Sequence, residues 1–156
     1  MATRVLLAIN ERLFRESLRA AVTRDLNLDI VGEAGDGREA LTRVRELSPD
    51  LVILQPCLKE LNGAETIHQI RLEKPALPVV AVSRYSDYPL VMRVLKAGAS
   101  AFILTDGGLD ELKRAVQATV EGRTYLSPSL EAIVARSIGE PSLNSTSSFS
   151  RSIFLS

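Results

Sequence analysis

At 156 residues, with 46% apolar side chains and 19 basic against 19 acidic groups, the chain can build one real core and has no net charge to draw it to nucleic acid or an anionic membrane. A single cysteine, Cys57, excludes an internal disulfide and a thiolate cluster for zinc, and the lack of tryptophan beside three Tyr and four Phe argues against a base-stacking surface. No run reaches the roughly 18 apolar residues of a membrane span and the Met-Ala-Thr-Arg start shows no cleavage-site pattern, so a cytoplasmic protein without membrane contact is expected.

Short apolar runs alternate with segments of helical period, which predicts five rounds of strand then helix between Arg4 and Glu121. Val5-Leu6-Leu7-Ala8 is the first strand, and the helix after it carries Phe14, Leu18, Ala21 and Val22 inward with Arg12, Arg15 and Arg19 on a solvated outer face. Asp29-Ile30-Val31-Gly32 is a shorter second strand, and Asp36 caps a second helix with Ala40, Leu41, Val44 and Leu47 on one side. Ser48-Pro49-Asp50 stops that helix, since a proline disfavours helical geometry in the residue before it. Leu51-Val52-Ile53-Leu54 is apolar on both faces, as a central parallel strand must be.

Asn62-Gly63 turns into a third helix with Ile67 and Ile70 inward, and Leu77 to Val82 supplies a fourth strand ended by Ser83. Leu90, Val91, Val94 and Leu95 mark a fourth helix closed by Gly98. Ala101-Phe102-Ile103-Leu104 is the fifth strand, and Leu109, Leu112, Val116 and Val120 line a fifth helix closed by Gly122. Parallel strands joined by helical crossovers predict an α/β fold: a doubly wound, five-stranded (βα)5 sheet over residues 1–126. From residue 127 to 156 a short helix within Leu126 to Ile138 is expected, then a flexible linker in which seven of the last fifteen residues are serine.

Ligands of open α/β sheets bind at the carboxyl ends of the strands, which here carry Ile9-Asn10-Glu11, Gln55-Pro56-Cys57, Ser83-Arg84 and Thr105-Asp106. The chain resembles the CheY-like, flavodoxin-like receiver domains of NarL/FixJ-type (LuxR-class) response regulators across residues 3–128. The likeness rests on Arg-Val-Leu-Leu-Ala, Val-Gly-Glu-Ala-Gly-Asp-Gly-Arg-Glu-Ala-Leu, Pro-Asp-Leu-Val-Ile-Leu, Leu-Asn-Gly, Leu-Lys-Ala-Gly-Ala and Gly-Arg-Thr-Tyr-Leu-Ser-Pro.

The resemblance implies a pocket in which an aspartate takes a phosphoryl group with Mg²⁺ held by an acidic pair, helped by a Ser or Thr and a Lys. On this chain the acidic pair falls on Ile9 and Asn10, the acceptor on Gln55, the hydroxyl on Ser83 and the lysine on Thr105. An amide cannot form an acyl phosphate and an isoleucine offers no donor to a hard cation, so no metal, no cofactor and no catalysis are expected. The lysine has gone together with the acids, which avoids the roughly 3–5 kcal/mol of a buried charge left unpaired. The neutral set can then satisfy itself by hydrogen bonds. Phe102 falls on the family's switch aromatic and reads here as a core ring. Lys59 stands where the family often has proline.

The function expected is that of an atypical receiver, or pseudo-receiver, in two-component phosphorelay signalling. It acts through protein partners or a homodimer, and on transcription only through a DNA-binding region beyond this chain. The alternatives are a small-ligand sensor at the neutral pocket and a phosphoacceptor using a non-standard residue. Glu11 is a lone carboxylate and a poor magnesium site. Cys57 and His68 are sole residues of their kinds, with His68 placed near the surface, and the glycines at 32, 35 and 37 do not match a dinucleotide motif.

Overall fold

Each expected apolar run becomes a strand in the computed structural model, which describes residues 2–56 and 62–137. The order is β1 (Arg4–Ala8), α1 (Arg12–Asp25), β2 (Asp29–Ala34), α2 (Gly37–Leu47), β3 (Leu51–Leu54), α3 (Gly63–Glu73), β4 (Val79–Ser83) and α4 (Tyr88–Ala97). Then follow β5 (Ala101–Leu104), a 3-10 turn (Thr105–Gly107), α5 (Gly108–Val120), β6 (Tyr125–Leu126) and α6 (Pro128–Ser137). All strands are parallel, in the order β2-β1-β3-β4-β5-β6.

The sheet has six strands where five were expected, because β6 is only two residues long and too short to show a period. Helices cover both faces, which is why the central strands are apolar throughout. Leu6, Ala8, Val52, Leu54, Val79, Ala81 and Phe102 face a core closed by α2, α3, α4 and α6. Val5, Leu7, Ile9, Leu51, Ile53, Val80, Val82 and Ile103 face a second core closed by Leu18 and Val22 of α1 and Leu112 and Val116 of α5. Burying one such side chain stabilises by about 1.5–3 kcal/mol, so the two layers together hold the strand ends in place.

Helix starts are set by short polar side chains. The Asp36, Asn62 and Asp87 side chains accept hydrogen bonds from the backbone N–H of Glu39, Glu65 and Leu90, each cap being worth about 1 kcal/mol. At Gly98 the left-handed backbone (φ 116°) ends α4 and brings its carbonyl to Arg71. Arg71 is half-buried and donates to Gly98 O (2.8 Å), Leu77 O (2.5 Å) and Ser100 Oγ (3.1 Å). Burial lowers its pKa from the ordinary arginine value.

The structure departs from the sequence reading at particular residues. Strand β2 runs on to Ala34, since β1 pairs with it that far. Val120, expected in the core, is 50% exposed at the end of α5. Arg15 is not on a solvated face: it pairs with Glu33 at 3.0 Å and donates to Ile9 O at 2.6 Å. The expected extra helix is α6, which belongs to the body of the fold, burying Leu130, Val134 and Ala135 in the same core as Phe102. His68 is exposed, and Cys57 and Lys59 lie outside the described residues.

Candidate functional site

Register brings the strand ends together, with Ala8 beside both Ala34 and Leu54, Leu54 beside Ala81, and Ser83 beside Leu104. The residues that follow therefore share one edge of the sheet. Gln55 continues the β1–β3 ladder by donating its backbone N–H to Ala8 O at 2.9 Å. Its side chain, only 9% exposed, is held at both ends: Oε1 accepts from Asn10 N–H at 3.1 Å, and Nε2 donates to Glu11 Oε1 at 2.5 Å.

Glu11 is shared. Arg84 Nη2 donates to its two oxygens at 3.3 and 3.2 Å, so a continuous chain Gln55–Glu11–Arg84 crosses the ends of β3, β1 and β4. The amide-to-carboxylate bond is charge-assisted and worth about 1.5–3 kcal/mol, whereas the half-exposed Arg84–Glu11 pair is worth about 0.2–1 kcal/mol. Burial makes the first contact the stronger one.

Ile9 is fully buried and sends its N–H to Ala34 O at 3.0 Å. The Asn10 side chain carries a buried Oδ1 with no hydrogen-bond partner among the described residues. Ser83 is buried, and its hydroxyl is engaged by its own turn, accepting from Tyr85 N–H at 2.9 Å and donating to Tyr85 O at 3.0 Å. Thr105 is exposed at the start of the 3-10 turn. Phe102 is wholly buried in the core, beside Leu126 and Leu130.

The expected neutral set thus divides. Asn10 and Gln55 are joined, while no hydrogen bond among the described residues links Ser83 or Thr105 to them. Gln55 draws instead on Glu11, a residue with little weight in the sequence reading, and Arg84 had no role there. The signal was thin because Glu11 and Arg84 lie 73 residues apart and only strand register joins them.

Magnesium does not fit this arrangement. Ile9 has no donor atom, Gln55 Oε1 already accepts an N–H, and both oxygens of Glu11 face a guanidinium. No group of three or more His, Cys, Asp or Glu able to hold a metal occurs among the described residues.

The family model of the response regulator receiver domain matches residues 5–117. The chain is similar to the response regulator GacA of Pseudomonas viridiflava, 29% identical over 143 residues (92% of this chain, 67% of that protein). It is 31% identical over 133 residues to GacA of Pseudomonas syringae pv. syringae strain B728a (83% of this chain, 62% of that protein). It therefore spans about two thirds of the length of these relatives. Among solved structures it is similar to a LuxR-family two-component response regulator from Aurantimonas sp. SI85-9A1, with TM-score 0.83 and 26% identity over 90% of this chain and 100% of that one. The receiver domain of NarL from Mycobacterium tuberculosis matches with TM-score 0.72 and 29% identity, covering 78% of this chain and 98% of that one.

Proposed function

The chain belongs to the response regulator receiver domain family, and from that premise we propose that it is a pseudo-receiver, relaying signals by protein contact without aspartyl phosphorylation. One observation carries the reading. The side chain at the acceptor position is an amide whose oxygen and nitrogen are both engaged, on Asn10 N–H and on Glu11. An aspartate could accept the first bond but could not donate the second. The strand-end positions Ile9, Asn10, Gln55, Ser83 and Thr105 then act as structure, with Phe102 as a core ring. The role is regulatory and not enzymatic.

Partners on this reading are other proteins or a second copy of the chain in the cytoplasm. Transcription control and DNA contact belong to a separate domain, of the kind implied by the likeness to LuxR-class regulators. No helix among the described residues is long and apolar enough to cross a membrane. Receiver function rests with residues 1–126, and we assign residues 127–156 to a docked helix followed by a linker.

The test is an amide spectrum of the labelled chain with Mg²⁺ and beryllofluoride added together. Unchanged resonances for Asn10, Gln55, Ser83 and Thr105 are expected, and saturable shifts at those amides contradict the reading.

A second reading, small-ligand sensing, is favoured by the buried Asn10 Oδ1, which has no partner among the described residues, since a buried acceptor left unmade costs about 1–3 kcal/mol and a donor ligand would recover it. A screen of amines and amides by thermal shift tests it. Saturable stabilisation that vanishes in Asn10→Ala supports sensing, and its absence leaves the contact-only reading.

A further inference from the structure

Ser127 is 2% exposed and bonds in four directions. Its N–H donates to Phe102 O (3.1 Å), its carbonyl accepts from Leu130 N–H (2.9 Å), and its hydroxyl accepts from Leu104 N–H (2.9 Å) while donating to the Glu111 carboxylate. Strand β5 and helices α5 and α6 thus meet on one residue. Glu111 is itself 7% exposed, in the first turn of α5.

The other side of that carboxylate lies against the strand-end turn. Gly107 has an ordinary right-handed backbone (φ −77°, ψ −12°), so conformation alone does not require glycine there. Proximity shows what a side chain there would press on: a Cβ on Gly107 would meet Glu111 Oε2, and the carboxylate would have to shift. The turn that begins at Thr105 therefore rests on Glu111, Glu111 holds Ser127, and Ser127 starts α6. Beyond it, Leu130, Val134 and Ala135 are buried with Met92, Leu95 and Phe102.

We propose that the Glu111–Ser127 pair is a latch coupling the Thr105–Gly107 turn to the docking of α6, so that a displacement of the turn loosens the terminal helix. The coupling goes beyond the pseudo-receiver reading and holds whether or not a phosphoryl group is ever bound. The competing explanation is that apolar burial alone docks α6, with the latch idle.

Hydrogen exchange separates the two, using the full chain, three single variants and one double variant. Ser127→Ala is expected to speed exchange of the α6 amides about tenfold or more while those of β1 and β3 keep their protection. Leu130→Ala loosens α6 directly and, because coupling is reciprocal, should also speed exchange in residues 105–108. Gly107→Ala presses on Glu111 and should raise α6 exchange, but no further when combined with Ser127→Ala. Protection of α6 unchanged in Ser127→Ala, or Leu130→Ala disturbing α6 alone, overturns the latch even where Gly107→Ala does not fold.

Discussion

Replacing Gln55 by glutamate changes one NH2 group into an oxygen at nearly constant shape. In the native chain that nitrogen sits 2.5 Å from Glu11 Oε1, so Gln55→Glu converts a charge-assisted bond into two facing carboxylates. Like charges at about 4 Å repel by about 1 kcal/mol in water and about 4 kcal/mol at an effective dielectric near 20. The Glu11 side chain is 44% exposed and has Arg84 beside it, so the lower part of that range applies. With the lost bond included, a destabilisation of about 3 kcal/mol at pH 7 is expected, a fall in Tm of roughly 6–12 °C for a domain of this size. The pH dependence has a definite sign. The facing carboxylates have raised pKa values in the folded variant, so it binds more protons than the unfolded chain and its stability falls as pH rises through the folded values. Urea unfolding at pH 4.5 and at pH 7 should show the gap between variant and parent narrowing in acid. A variant as stable as its parent at pH 7, with no pH dependence of the difference, refutes the Gln55–Glu11 contact.

Arg84→Ala should cost less than about 1 kcal/mol in urea unfolding, since the pair it breaks is half-exposed; a larger loss means Arg84 is more deeply engaged than the geometry allows. Arg71→Met strips part-buried carbonyls of their donors and should destabilise by about 2–4 kcal/mol, well beyond Arg84→Ala in the same assay. Phe102→Ala removes a wholly buried ring and should cost about 3–5 kcal/mol, measured by the same unfolding midpoints. Burial raises the Glu131 pKa above the ordinary carboxylate value, so its folded form favours the proton. Glu131→Gln should therefore stabilise the chain at pH 7 relative to its parent, the advantage fading as pH falls through the glutamate range.

The sheet was legible because helices on both faces remove the polar alternation, so Leu51 to Leu54 announces a central strand without ambiguity. Caps such as Asp36 were legible for a local reason, a side chain bonding three residues along its own chain. Long-range polar contacts were not. Arg71 finds its partners at residues 77, 98 and 100, and they are mostly backbone carbonyls, which leave no mark in a sequence. The strand-end residues could be seen one by one, yet the contacts they make could not. That Gln55 is bound at both ends, and that Glu11 is held by Arg84, follow only from register. Val120 misled because helical period continues to the last turn of α5 while burial does not.

Intact-mass measurement after incubation with Mg²⁺ and acetyl phosphate addresses the acceptor position directly. The chain should emerge at its original mass, and so should Gln55→Asp, because Ile9 and Asn10 still give a metal no acidic pair. A stoichiometric gain of one phosphoryl group on the parent chain would contradict the account.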